Sequence, residues 1–339
     1  PLLRGEAIDY IAISFDEEGK VEEVLKFLQL IGNDDYSALV LKRIAELRAE
    51  DLDYDAAIKM NRRLLAQFPY STSAPEASIS IVKLFEIMDK PDSVQAERQR
   101  FFDLYCNGST WNTEVSKRDS LLAKKIDSIV IAIGISIADE YYRNAEKSIG
   151  QDEYIKAADA YKQVVDKYPD EKSASDARWN LAAILETKLF DKPTAYNEYI
   201  RFSQIADIDS TRREQAALNA VAIAQSMVPV DSAADKGALD FSSEKVVEAV
   251  NNYLKVFPDG GSYNKVLLGM GAIYFNRQMF RQAEEIYKQI IDKGSGEKEY
   301  YEALLFMAQC YFGQEKWAPA INAFETVWKG TDNQGHRTT

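Results

Sequence analysis

Residues 154–185 read YIKAADAYKQVVDKYPDEKSASDARWNLAAIL. Ala157, Tyr161 and Val164 return at spacings of three and four, the mark of an amphipathic helix, and Pro169 closes the segment. Trp179, Ala182 and Ala183 then open a second helix. Small residues stand where two helices touch, and large ones fill the space beside them. A helix pair of this kind, about 34 residues long and stacked on further copies, makes an all-α solenoid. Such an architecture does its work by binding other macromolecules.

Working outward, the same pattern covers most of the chain. Ile8, Ile11, Ala12 and Phe15 stripe one helix, and Val24, Leu28 and Ile31 its partner, in a first unit from about Gly5 to Gly32. Leu41, Ile44 and Ala45 lead to Tyr54, Ala57, Asn61 and Leu64, and Pro69 ends that unit. Ala74 to Asp89 pairs with Ser93 to Tyr105 across the turn Lys90-Pro91-Asp92. Asn107-Gly108-Ser109 reads as a turn, although it also matches a glycosylation sequon. Glu114 to Ser148 is a long helical pattern, one helix or two with a break, and Gly134 is its expected weak point. Trp179 pairs with Ala195, Tyr199 and Phe202, and Thr211–Met227 with Ser243–Phe257 across the longest loop. Leu267, Met270, Gly271 and Tyr274 face Ala283, Tyr287 and Ile290. Leu304, Met307, Ala308 and Tyr311 face Ala320, Phe324 and Val327. This gives about seven helix pairs in a single domain over 1–339, with irregular joints near 90–135 and 228–242.

Composition narrows the function. At 339 residues the chain exceeds one ordinary core, a limit a solenoid escapes because each repeat packs only on its neighbours. Its 54 acidic and 41 basic residues give a net charge of −13, which repels phosphate backbones and argues against nucleic acid as a partner. Cys106 and Cys310 fall in different repeats and are not expected to pair. His336, in a polar tail, is the sole histidine, which nearly excludes histidine-based acid–base or metal chemistry. Ile129–Ala138 is the most apolar run, but ten residues are too few to span a bilayer, so it is expected to be a buried core helix. The chain opens at Pro1 without a signal-like segment, which is expected of a processed product or part of a longer chain and says nothing about export.

Signals for chemistry are weak. Gly269-Met270-Gly271 lies inside a helix with no strand before it, so it is no dinucleotide loop. Asp231, Asp235 and Asp240 suggest calcium only loosely, since Gly237 stands one place late for an EF-hand. Neither a G-x-S-x-G elbow nor an H-E-x-x-H pair occurs. No catalytic residue, metal or cofactor is expected. Tyr161, Tyr199, Tyr274, Tyr287 and Tyr311 all fall on core offsets.

These residues resemble the tetratricopeptide repeat family over nearly the whole chain, most specifically at Tyr154–Pro169, Trp179–Phe202, Leu267–Ile290 and Leu304–Val327. The resemblance implies a right-handed superhelical solenoid. The form Y-x-x-A-x-x-x-Y-x-x-V-V-x-K-Y-P followed by S-A-x-x-A-R-W-N-L-A is similar to the bacterial envelope branch. That branch holds the outer-membrane assembly lipoprotein BamD and the periplasmic coordinator of the Tol system. The opening A-I-D-Y-I-A-I-S-F and the run A-D-E-Y-Y-R-N-A-E resemble large repeat proteins of gliding machinery. The implication is a scaffold without catalysis, periplasmic or outer-membrane-associated, with a cytoplasmic place as the alternative.

In this family the inner helices line a concave groove. The resemblance carries its ligand-facing offsets to Lys42 and Glu46, Tyr142 and Glu146, and Asn180 and Ile184. In the last two units they fall on Leu268, Ala272 and Phe275, and on Leu305, Gln309 and Phe312. The Lys-Asn-Asn-Lys-Arg set that clamps a C-terminal carboxylate in chaperone-binding members is absent. Leu268, Phe275, Leu305 and Phe312 are apolar. Either they grip a partner peptide or helix, or they bury against neighbouring helices. Two other readings stay open: the helical part of a larger enzyme, and a helical protein that binds glycans or small ligands.

Overall fold

The computed structural model describes residues 2–17, 21–31, 34–148, 150–228, 239–294 and 298–333. Among them the chain is all-α, with seventeen α-helices, one 3₁₀ turn and no strand. It divides into two compact units, Pro1–Ala177 and Arg178–Thr339.

The first unit holds α1 (Leu2–Glu17), α2 (Val21–Ile31), α3 (Asp34–Glu50), α4 (Tyr54–Gln67), α5 (Ala74–Ile87) and α6 (Pro91–Tyr105). A short α7 (Thr110–Ser116) follows, then α8 (Ser120–Ser148) and α9 (Gln151–Lys167). α10 (Ser175–Thr187) crosses the division. The second unit continues with α11 (Lys192–Gln204), α12 (Ser210–Met227), α13 (Phe241–Val256) and α14 (Tyr263–Asn276). α15 (Phe280–Lys293), α16 (Lys298–Gly313) and α17 (Trp317–Asn333) complete it. Within each unit most helices pack chiefly on the next one, whereas α1 packs mainly on α3 and α6 mainly on α8. First helices of successive pairs also touch, α3 on α5 and α14 on α16, as stacked helix pairs require.

Local chemistry sets the boundaries. Asp53, Ser109, Asp191, Asp209 and Asp240 each accept a hydrogen bond from the backbone N–H three residues on and so cap α4, α7, α11, α12 and α13. At the other end of α4, α9 and α13 stand Phe68, Tyr168 and Phe257, each before a proline. All three leave the helix with φ between −128° and −134°, because a residue before proline is pushed out of the helical region.

The turns inside the pairs are built differently. Leu52, Asp89, Gln278 and Glu315 take a left-handed φ of 52–64°. The N–H that follows each bonds a carbonyl five residues back: Asp53 to Arg48 at 2.9 Å, Lys90 to Phe85 at 3.0 Å, Met279 to Tyr274 at 2.9 Å and Lys316 to Tyr311 at 2.9 Å. This is the Schellman closure, made here without its usual glycine. Phe190 (φ 57°) ends α10 in a turn one residue longer.

Two expectations need correction or refinement. The long helical pattern is two helices, broken at Lys117–Asp119, where the Asp119 carboxylate accepts from Leu122 N–H at 2.9 Å and starts α8 afresh. Gly134 is no weak point. α8 runs straight through it, and a Cβ there would lie 2.6 Å from Val164 and 2.8 Å from Phe102, so glycine lets α6 and α9 close on α8. Val130, Ile131, Ile137 and Ala138 are buried around it, which makes the apolar run a core helix. Nearby, Asp127 accepts from Tyr168 Oη–H at 2.9 Å and from Asn112 Nδ2–H at 3.0 Å. Tyr168 Oη accepts in turn from Asn107 N–H at 2.9 Å. That network ties α7, α8 and the end of α9 together where the repeat is irregular. Burial raises the Asp127 carboxyl above its ordinary value.

In the second unit Trp179 packs edge-on against Tyr199 and Phe202, with centroids 5.7 and 5.2 Å away. The buried Arg178 guanidinium meets Glu198 at 2.5 Å. Gly271 sits against the Tyr287 ring where α14 crosses α15.

Candidate functional site

The groove residues divide between the units. In the first, Lys42 on α3 pairs with Glu76 of α5 and lies 3.8 Å from Glu46. Glu46 also stands 3.5 Å from Arg43. On α8, Tyr142 packs edge-on against Tyr154 at 5.8 Å, and Glu146 accepts a hydrogen bond from Tyr154 Oη–H. These four therefore belong to polar surface networks that join neighbouring helices.

In the second unit Asn180, Leu268, Ala272, Phe275 and Gln309 are half-buried. Ile184 is 3% exposed, so it offers no surface to a ligand. Phe275 packs edge-on against Phe280, 5.6 Å between centroids, so part of its surface already serves the turn between α14 and α15. Leu305 and Phe312, both on α16, are 36% and 59% exposed. Phe312 meets Trp317 edge-on at 5.2 Å. The open apolar surface is thus carried by α16, with Leu268 and Phe275 on α14, the helix it touches, more covered.

Trp317, Ile321, Phe324 and Trp328 lie on one side of α17 at spacings of four, three and four, and all four are exposed. The spacing is legible in the sequence; Phe324, expected to face the first helix of its pair, is exposed.

Burial shifts several titratable groups toward their neutral forms. Burial pushes the Cys310 thiol up to about 12 and raises that of Cys106, and both cysteines are free and buried. A thiol held protonated is a poor nucleophile. Tyr105 is pushed up to about 12 by burial, against its bond with Ser78 at 3.0 Å. Among the described residues no cluster of His, Cys, Asp or Glu is arranged to hold a metal ion. Asp240 caps α13 and pairs with Arg277, the residue that ends α14; Asp231 and Asp235 lie outside the described residues, as does His336. A cleft of about 420 Å³ beside the turn between α5 and α6 is lined by Lys90, Arg143 and Lys147. In it Arg98 is already paired with Glu86 at 2.7 Å and Glu140 at 3.6 Å. Among the described residues no helix is long and apolar enough to cross a membrane.

Residues 265–293, spanning most of α14 and all of α15, match the tetratricopeptide repeat family. No curated protein matches the chain in sequence. Among solved structures, the chain is similar to the C-terminal part of a repeat-containing protein from Cytophaga hutchinsonii. The identity is 14%, the TM-score 0.36, and the match covers 85% of this chain and 95% of that one. It is similar to a tetratricopeptide repeat protein from Parabacteroides merdae at 9% identity and TM-score 0.32, covering 86% and 91%. It is also similar to the MamA protein at 13% identity and TM-score 0.37, covering 62% and 96%.

Proposed function

We propose that this protein is a protein-binding scaffold without chemistry of its own, and that it takes an apolar peptide or helix on the groove side of α14 and α16. The exposed pair Leu305 and Phe312 carries this reading. Large apolar side chains left in water on a well-formed helix are costly unless a partner covers them, at roughly 25 cal/mol per Å². Helix-in-groove packing is the mode that such a surface serves. The half-buried Leu268, Phe275 and Gln309 shape its floor, and Asn180, Tyr142, Glu146, Lys42 and Glu46 extend the same offsets along the chain.

The compartment is proposed as the bacterial cell envelope. Its support is the likeness of residues 154–185 to envelope repeat proteins.

The test is affinity capture from separated envelope and cytosolic fractions with wild type, Leu305→Asp and Phe312→Asp. Both positions are exposed, so the variants are expected to fold as wild type does by circular dichroism. Envelope proteins captured by wild type and lost from both variants are the expected result. Capture of cytosolic proteins alone overturns the compartment, and capture unchanged by both variants overturns the groove.

A further inference from the structure

The chain carries a net charge of −13, yet the 420 Å³ cleft of its first unit gathers cations that no carboxylate holds. The cleft lies where α6 runs antiparallel along the C-terminal half of α8. Phe102 meets α8 at Gly134, and Arg98, one turn back on α6, reaches Glu140. α6 packs on α5 as well as on α8, and α8 packs on α9, so the cleft is internal to the stack and not its open end.

Arg143 and Lys147 come from α8, four residues apart, and Lys90 from the turn between α5 and α6. All three are exposed. Arg143 donates from Nε to the Asp139 carbonyl at 3.3 Å, and the Lys90 ammonium stands 5.9 Å from the Phe85 ring. Among the described residues none of the three has a carboxylate partner. Like charges at i and i+4 of a helix repel, so an anion between Arg143 and Lys147 relieves a repulsion that the fold leaves standing. The overall charge does not forbid this. At physiological salt, charges more than about 8 Å away are largely screened, and these cations line the cleft itself.

Carboxylates on the same walls decide the class of anion. Glu86 and Glu140 share Arg98, and Asp89 stands beside Lys90. A compact polyanion such as phosphate would meet these three as well as the cations. A polypeptide separates the two needs: acidic side chains reach the cations, and backbone N–H groups turn to the carboxylates. Cβ atoms at i and i+4 of a helix are about 5–6 Å apart, close to the spacing of about 6.6–6.8 Å between alternate residues of an extended chain. Carboxylates two positions apart therefore reach Arg143 and Lys147 together, and the two terminal nitrogens of Arg143 offer a fork of donors. We propose that this cleft binds an extended acidic segment of a partner protein, with Glu or Asp at i and i+2. A second copy of the chain is the poorer occupant, since two bodies at −13 repel each other. The cleft shares no helix with Leu305 and Phe312, so the site stands apart from the apolar groove.

The probe is a fluorescent peptide of alternating glutamate and alanine, titrated into the protein at low salt and followed by anisotropy. Saturable binding is expected, weakened at least tenfold in Arg143→Gln and in Lys147→Gln. Lys125→Gln, which removes an exposed cation of α8 outside the cleft, is expected to leave it unchanged, as is Phe312→Asp. The peptide with glutamine in place of glutamate is expected not to bind. Arg143 and Lys147 are exposed, so both variants keep the fold, which circular dichroism checks. Absence of saturable binding, or equal affinity for wild type and both variants, overturns the proposal. Tighter binding of inorganic pyrophosphate than of the peptide also overturns it, by assigning the cleft to phosphate groups. So does concentration-dependent self-association of wild type that Arg143→Gln abolishes, since it assigns the cleft to a second copy of the chain.

Discussion

Gly134 and Gly5 show how differently two helical glycines act. Each sits in a helix, where glycine costs roughly 0.5–1 kcal/mol relative to alanine. Around Gly5 a Cβ meets nothing within 4 Å, whereas at Gly134 it runs into Val164 and Phe102. Gly5→Ala is therefore expected to raise the melting temperature slightly, by a free energy of about 0.5–1 kcal/mol. Gly134→Ala is expected to lower it, because overpacking costs typically ~1–3 kcal/mol and exceeds the propensity gain. Thermal melts of the two variants decide this; a gain from both means that α8 yields where it meets α6 and α9. The sequence reading placed Gly134 in a long helix but took it for a weakness. A glycine's neighbours in space are not written beside it in the chain.

At the scale of elements, the repeated turns are the least legible feature. Proline after Phe68, Tyr168 and Phe257 announces the ends of second helices in plain sequence. The ends of first helices carry no such sign, because leucine, aspartate, glutamine and glutamate take the left-handed residue that glycine usually fills. A non-glycine residue in that region costs roughly 1–2 kcal/mol. Leu52 is exposed as well as left-handed. Leu52→Gly is thus expected to stabilise by about 0.5–1 kcal/mol, the relief of strain being partly offset by the greater freedom of glycine when unfolded. An unfolding midpoint lower than that of wild type contradicts this account of the turn. The candidate site divides in the same way: at the same offset Leu305 and Phe312 are exposed, while Ile184 is buried.

For the whole molecule, stability is expected to be local. Helices pack chiefly on their sequence neighbours within each unit, so a lesion should travel along the stack and fade. Gly271→Val forces a side chain into the Tyr287 ring. Hydrogen exchange followed by mass spectrometry should then show faster exchange through α14, α15 and α16, with α3 to α6 protected as in wild type. Equal loss of protection in α3–α6 would refute local coupling and point to a single cooperative core. The net charge of −13 acts through the summed field on partners and says nothing about the fold.

The sequence by itself determined the helix-pair repeat and most of the helices that form it. A helical stripe is set by residue type at spacings of three and four, and that information is local. It also limited the chemistry, since one histidine and two separated cysteines leave few reactive groups. Only the tertiary structure decided which apolar residues are covered. Tyr287 and Phe324 stand at the same place in successive repeats, yet the first is fully buried under Phe306 and the second is open. Burial depends on the helix that packs across a residue, and that helix contributes nothing to the residue's own periodicity.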